Sequence, residues 1–321
     1  MTVIATTSPG FGRFGQVPAK LEQLGWEVLR GVDTSLPDGG LGDALARADF
    51  LITGLIPVDD NTLAKAPKLR AVLKHGVGTD NIDIAACTAR GIPVLNTPAS
   101  NSNAVAELAV AAMFSLARNV PAGHMNMLEH KWVRMVGSEV SGKTLGVVGL
   151  GNIGKLLAKK AIGLGMRVVA TDLYPDRDFA TLNAISLLAL DDLLSQSDYV
   201  SLHVFGTETL ITADKLALMK PTACLLNLAR GEVVDLDALN HALSSKKLGG
   251  VALDAFVTEP PDWSHPIFSQ PRAVFTPHMG ADTTESVERT SLMNIADIET
   301  MLTGGRPSRM LNRQVFEGKA E

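Results

Sequence analysis

Short apolar, β-branched runs recur through the first hundred residues, at 3–6, 27–29, 50–53, 70–73 and 93–95. Between them, residues 19–25 and 41–48 carry the wider apolar spacing that suits helices, so this part of the chain predicts alternating strands and helices. Residues 104–118 are Ala-rich and apolar nearly all round, and follow Asn101, Ser102 and Asn103, which are good helix caps. That predicts a buried helix where the chain first crosses from one body to another, near residue 100. A second alternation then begins, with apolar runs at 144–148, 167–171, 199–202, 223–228, 250–253 and 273–276. Six near-continuous apolar strands with helix-sized gaps predict a parallel sheet covered on both faces. A last helix is predicted from Asp282, with Glu285 three residues on as in a capping box, to Gly304 and Gly305. The expected domains are 1–100 with 285–321, and 101–284.

Composition narrows the classes. The chain has 321 residues, 46% hydrophobic and 20% charged, which suits two folded cores and excludes wholesale disorder. Its net charge is -5 and no Lys/Arg stripe is present, so a nucleic-acid partner is not expected. The longest apolar run, 108–117, falls well short of the ~20 residues that span a bilayer, and no membrane partner is expected. Cys87 and Cys224 make no disulfide framework and residues 1–15 lack a leader pattern, so a cytoplasmic location is expected. Glycine is the unusual component, with 29 residues, and its positions carry chemistry.

Gly149-Leu150-Gly151-Asn152-Ile153-Gly154 lies between the predicted strand 144–148 and an amphipathic helix at 155–164. In that context the pattern reads as a dinucleotide-binding turn: Gly149 for the tight turn, Gly151 for close approach of a pyrophosphate, and Gly154 for helix-to-strand packing. Asp172 ends the next strand, where a carboxylate accepts from adenosine ribose hydroxyls and repels a 2′-phosphate, favouring NAD over NADP.

Ligands of open parallel sheets bind beyond the carboxyl ends of the strands. The fourth strand of the second alternation runs out into Ala229-Arg230-Gly231, the fifth into Asp254, and the sixth into Thr276-Pro277-His278. Singly, these read as a surface cation, a loop cap and a loop histidine; together they converge on the edge that the glycine turn occupies. Glu259, five residues past Asp254, is placed to pair with His278 and favour its charged form. An imidazole–carboxylate pair exchanges one proton near neutral pH, and a guanidinium grips a carboxylate and polarises the neighbouring carbonyl.

These motifs resemble those of the D-isomer-specific 2-hydroxyacid dehydrogenases: Gly149–Gly154, Asn227-Leu228-Ala229-Arg230-Gly231, Asp254-Ala255-Phe256 with Glu259-Pro260, and Thr276-Pro277-His278-Met279-Gly280 followed by Thr283. The likeness covers nearly the whole chain. It implies an α/β fold of two domains, a Rossmann-type doubly wound parallel sheet plus a flavodoxin-like substrate domain. It also implies an oxidoreductase moving a hydride between NAD(H) and C2 of a small D-2-hydroxy or 2-oxo acid. In such a protein Arg230 binds the substrate, His278 is the acid/base, and Glu259 tunes it. Cofactor contacts are implied at Gly149, Gly151, Asn152, Ile153, Gly154, Asp172, His203, Ala229, Asp254 and Gly280, with Asp254 facing the nicotinamide carboxamide. Substrate contacts are implied at Val77 and Gly78, whose backbone N–H groups sit in the turn His75-Gly76-Val77-Gly78, and at Asn101, Arg230 and His278. Asn101 reads equally as a helix cap. A homodimer with residues 104–134 at its interface is also implied.

The nearest likeness is to the phosphoglycerate dehydrogenase branch in a short form, with no regulatory domain expected. Where that branch carries an Arg-Ser pair this chain reads Thr53-Gly54-Leu55-Ile56, so a phosphate anchor is missing, while Lys74 and Arg134 leave an anionic tail open. Phe205 stands where relatives commonly place Pro. Rival readings are a formate or phosphite dehydrogenase on the same fold, against which Glu259 counts, and a non-enzymatic NADH-sensing binding protein of the corepressor kind. A metal site from His203, Asp254 and His278 lacks ligand spacing, and no metal is expected.

Overall fold

The computed structural model describes residues 1–31, 40–206 and 208–316. It divides into two compact units, Met1–Asn101 with Ala281–Glu321, and Ser102–Gly280. In the first unit the strands β1 (Val3–Thr6), β2 (Glu27–Arg30), β3 (Phe50–Thr53), β4 (Ala71–Lys74) and β5 (Val94–Leu95) form a parallel sheet in the order β2-β1-β3-β4-β5. That is the flavodoxin-like order. The fourth strand begins and ends one residue later than the 70–73 expected, so it closes on Lys74, a buried lysine that the hydrophobic pattern does not count.

In the second unit, β6 (Thr144–Val148), β7 (Arg167–Thr171), β8 (Ser186–Leu187), β9 (Tyr199–Leu202), β10 (Cys224–Asn227), β11 (Gly250–Leu253) and β12 (Ala273–Phe275) are ordered β12-β11-β10-β9-β6-β7-β8, all parallel. Counted from β6 this is 3-2-1-4-5-6 with one more edge strand, the doubly wound Rossmann order. The expectation of six strands is corrected to seven: β8 is two residues long and largely outside the core, so it leaves no apolar run to read. The fourth and sixth strands are also shorter than expected, because residues 223, 228 and 276 lie in the flanking turns.

The Ser102–Arg118 helix buries Val105, Ala106, Ala109, Ala112, Met113, Leu116 and Ala117 in one core with Leu145, Val147 and Leu157. Its small side chains permit close contact with the helix Asn152–Gly163. Leu157 is 1% exposed, and its truncation to Ala costs about 2–5 kcal/mol. The helix breaks at Asn119, where φ is 54°, and turns 64° into Val120–Leu128, which buries none of its residues. Among the described residues no single helix is long and apolar enough to cross a membrane.

The last helix, Thr284–Leu302, belongs to the first unit. Its N-cap is Thr283, whose Oγ1 accepts from Ser286 N, which corrects the start expected at Asp282. It ends with Gly304 at φ 81° donating to Met301 O. Its inner face packs Ile295, Ile298 and Met301 into the core and splints several loops with polar side chains: Ser291 Oγ meets His75 Nε2 at 3.0 Å, Asn294 Nδ2 donates to Lys74 O, and Thr290 Oγ1 donates to Ser100 Oγ.

Candidate active site

The turn after β6 is built by exclusion. Gly149 has φ 94°, and a Cβ there would lie 2.5 Å from His203 O; at Gly154 one would lie 2.1 Å from Gly149 O and 3.0 Å from Val147 Cγ1. Both positions need glycine for the protein's own packing. Gly151 is different, since a Cβ there would meet nothing within 4 Å. Gly151 is the N-cap of the Asn152–Gly163 helix and supplies no side-chain cap, so the amides of that first turn face an open approach with the helix dipole behind them. Asn152 is exposed there and Ile153 is half-buried against the core beneath.

A second run of the same spacing shows the contrast. Gly10-Phe11-Gly12-Arg13-Phe14-Gly15 links β1 to the helix Val17–Leu24, yet its cradle is filled from within. A Cβ on Gly10 would strike Val287 at 2.8 Å and one on Gly15 the Glu288 carboxylate at 2.0 Å, while Glu288 Oε1 accepts from Gln16 N at 2.9 Å. The anion at that helix start is the protein's own.

Asp172 closes the first turn from the side: Oδ2 accepts from Leu150 N at 2.6 Å and Oδ1 from Tyr174 N at 2.8 Å. A carboxylate has roughly four acceptor sites, so it still has capacity for ribose hydroxyls. The nearby Lys155 is paired with Asp176 at 2.6 Å. His203 lies half-buried at the end of β9, with Nε2 on Ser201 Oγ at 2.9 Å and a buried Nδ1 without a protein partner. Burial pushes its pKa down to about 4, so the ring is neutral. The open face at Gly151 and the orphaned His203 nitrogen fit a dinucleotide.

Arg230 follows β10 in extended conformation. Asn227 folds the loop, accepting from Ala229 N at 3.1 Å and donating to Arg230 O at 2.7 Å. The guanidinium donates to Ala229 O and lies 5.6 Å from the Phe205 ring centroid, a cation–π contact that explains the Phe at that position. Gly231 is pressed onto the next loop: a Cβ would lie 2.1 Å from Phe256 C. The loops after β10 and β11 are thereby held together.

Asp254 is 4% exposed and clamps the loop after β12. Oδ1 accepts from Thr276 Oγ1 at 2.6 Å and from Met279 N at 2.9 Å, and Oδ2 from Gly280 N at 2.9 Å. Burial raises its pKa above the usual carboxylate value despite those three bonds. Between the clamped residues stands His278, at φ 50°, a conformation few non-glycine residues adopt. Its Nδ1 lies 2.8 Å from Glu259 Oε1 and 2.7 Å from Oε2, so the network assigns the proton to Nδ1 and leaves Nε2 to face outward. Burial acts to raise the Glu259 carboxyl, but the bond and charge of His278, the Phe256 N–H and the Arg230 charge outweigh it and hold it below its ordinary value. Phe256, Phe268, Phe275 and Trp263 form an aromatic cluster under the loop that carries Glu259.

In the first unit, the turn after β4 carries Val77 and Gly78. Thr97 Oγ1 and N donate to Gly76 O, and Asn96 Nδ2 donates to Val77 O. In planar trans peptides the N–H points opposite to the C=O. The N–H groups of Val77 and Gly78 are therefore turned away from residues 96–97, as an anion nest requires. Asn101 is not the cap of the helix that follows, because its Oδ1 is buried without a protein partner. Reading the sequence missed the clamp by Asp254, the fold-back of Asn227 onto residues 229 and 230, and the bond from Lys74 Nζ to Gly54 O; the first and last reach 20 or more residues along the chain, where no local pattern exists.

A family described as "D-isomer specific 2-hydroxyacid dehydrogenase, NAD binding domain" matches residues 110–280. The chain is 41% identical over 294 residues to a D-3-phosphoglycerate dehydrogenase of Mycobacterium bovis, covering 89% of this chain and 55% of that protein. It is 37% identical over 270 residues to a glyoxylate reductase of Korarchaeum cryptofilum, covering 81% of each. Among solved structures, a D-lactate dehydrogenase from Aquifex aeolicus complexed with NAD and lactic acid superposes with a TM-score of 0.79 at 26% identity, covering 99% of this chain and 98% of that one. The chain spans about half the length of the phosphoglycerate dehydrogenases it matches.

Proposed function

The chain belongs to the D-isomer specific 2-hydroxyacid dehydrogenase family, and on that premise we propose that it is an NAD-dependent oxidoreductase acting at C2 of a small D-2-hydroxy or 2-oxo acid. The class includes acids of the hydroxypyruvate, glyoxylate and phosphohydroxypyruvate type. The observation that carries the reading is the two-oxygen grip of Glu259 on His278 Nδ1, made beside Arg230 and on the strand edge where Gly151 lies open.

NAD(H), when bound, supplies or accepts the hydride. Gly151, Asn152 and Ile153 would face its pyrophosphate in the turn that Gly149 and Gly154 shape, Asp172 would take its ribose, and His203, Ala229, Asp254 and Gly280 would line its nicotinamide end. Arg230 grips the substrate carboxylate and polarises the carbonyl at C2. On reduction His278 delivers the Nε2 proton to the C2 oxygen and on oxidation removes it. Glu259 balances the imidazolium charge, and Asp254 fixes the loop so that Nε2 keeps its aim.

The test is a pair of variants. His278→Asn is expected to lower kcat/KM by about 100-fold or more while leaving NADH affinity within threefold. Glu259→Gln removes the carboxylate that orients the imidazole at Nδ1, so kcat for 2-oxo acid reduction is expected to fall at least about tenfold with NADH affinity within threefold. Near-normal turnover in either variant counts against these assignments.

The proposal extends to a cytoplasmic homodimer. The helix Val120–Leu128 buries none of its residues, and the segment after it leaves Trp132 82% and Val136 98% exposed. An apolar surface of that extent calls for a cover, and a second copy of the chain is the one we propose.

A further inference from the structure

Three adjacent strand ends of the second sheet meet at one guanidinium. Arg230 follows β10, whose neighbours in the sheet are β9 and β11. The loop after β10 supplies Ala229 O, which accepts from Arg230 Nη1 at 2.8 Å. The loop after β11 supplies the Glu259 carboxylate, on which the Arg230 charge acts. The loop after β9 supplies a ring, that of Phe205, whose centroid lies 5.6 Å from the guanidinium carbon. Phe205 is 75% exposed and contributes to neither hydrophobic core of this unit, so core packing does not account for it.

The backbone beneath Arg230 is already fixed. Asn227 accepts from Ala229 N and donates to Arg230 O, and Gly231 is pressed against Phe256 and Val257. Those contacts do not restrain the side chain, which is long, rich in rotamers and loses freedom when an anion binds it. A ring restrains a guanidinium only if the ring is itself held, and the residues before Phe205 meet that condition. His203 N donates to Val148 O at 2.7 Å, and His203 Nε2 lies 2.9 Å from Ser201 Oγ. A Cβ on Gly149 would lie 2.5 Å from His203 O and 3.2 Å from Val204 Cγ1. The loop that carries the ring is thus keyed to the glycine turn after β6.

We propose that Phe205 is a positioning residue for Arg230. Its face holds the guanidinium in one pose before an anionic ligand arrives, so that the ligand does not have to order the side chain. The hold is electrostatic as well as steric, because the quadrupole of an aromatic ring attracts a cation and an aliphatic side chain has none. The proposal rests on the 2-oxo acid reading above for the identity of the anion; the hold of the ring on Arg230 does not depend on it.

The experiment compares Phe205→Leu, which removes the quadrupole, with Phe205→Tyr, which keeps it, both in the full chain. At so exposed a position both are expected to fold and to bind NADH within threefold of the wild type. In NADH oxidation with glyoxylate and hydroxypyruvate, Phe205→Leu is expected to raise KM about three- to tenfold with kcat within threefold, the effect of leaving one long side chain to be ordered on binding. Phe205→Tyr is expected to keep KM within twofold. A second readout needs no acid: the Arg230 Nε–Hε resonance of protein carrying isotope-labelled arginine, identified by its absence in Arg230→Lys. The face of a ring shields a proton above it, so this resonance is expected upfield in the wild type and in Phe205→Tyr, and to move downfield in Phe205→Leu. A KM unmoved in Phe205→Leu or raised equally in Phe205→Tyr, or a resonance the same in all three proteins, overturns the proposal while the parent reading stands. A chain that binds NADH but reduces neither acid overturns the parent reading, and the resonance then decides the hold of the ring by itself.

Discussion

His278 and His75 carry the same side chain in opposite situations. The former is gripped at Nδ1 by Glu259 and leaves Nε2 outward; the latter is held at both nitrogens by serines, edge-on to Phe11 at 5.9 Å. Burial, with the Lys74 charge behind it, pushes the His75 pKa from 6.5 down to about 4. Between those values the unfolded chain binds a proton that the folded chain refuses, so stability falls as pH drops from about 6.5 to about 4 and is unaffected by this group above that window. Urea unfolding at pH 7.5, 6 and 4.5 is expected to show the loss, and His75→Gln to reduce its slope over the same interval, with His203 keeping a share of it. An identical slope in the variant would place the titration elsewhere. At this scale the residues that gather at the candidate site were legible in the sequence, because Arg230, Glu259 and His278 each follow a strand of the second sheet. Lys74 and Asp254 were not read in their structural duties, since a bond across 20 or more residues, from Lys74 to Gly54 or from Asp254 to Thr276, leaves no local mark.

The two glycine-rich turns show what an element's context adds to its spelling. Both join a strand to a helix, yet the space over Gly151 is open and the space over Gly15 holds a carboxylate. Two substitutions separate approach from packing within the Gly149–Gly154 turn. Gly151 has φ -75°, which Ala adopts freely, so Gly151→Ala is expected to fold with a stability change under about 0.5 kcal/mol and to weaken NADH binding at least tenfold. Gly154→Ala drives a methyl onto Gly149 O and is expected to destabilise the fold by about 1–3 kcal/mol. Calorimetry with NADH titration on both proteins decides it; equal stability losses would mean that both glycines serve packing alone. Nearly every strand was legible from its apolar run. The exceptions were β8, two residues at an edge, and the shift of β4 onto Lys74, where burial of a charged residue defeats a hydrophobicity rule.

At the scale of the whole molecule, two parallel sheets of different winding are carried by one chain that leaves the first unit after Asn101 and returns to it at Ala281. The proposed dimer rests on the segment from Val120 to Val136, where Leu128, Trp132 and Val136 are among the exposed apolar side chains. Trp132→Glu combined with Val136→Asp is expected to convert a dimer to a monomer in sedimentation velocity without changing the far-ultraviolet circular dichroism. A wild-type chain that sediments as a monomer at micromolar concentration would dispose of the dimer. Such a surface is hard to see in a sequence, because Val, Met and Trp read as core residues until the fold leaves them outside.

The placement of the three tryptophans gives the protein a set of optical labels. Trp26 packs against the core of the first unit, Trp132 stands on the exposed segment, and Trp263, in the segment that follows Glu259, lies tilted against Phe268 with ring centroids 5.1 Å apart. Three variants, each retaining a single indole, turn unfolding of the first unit, association of the chains and ordering of the Glu259 loop into separate emission signals from an unlabelled protein.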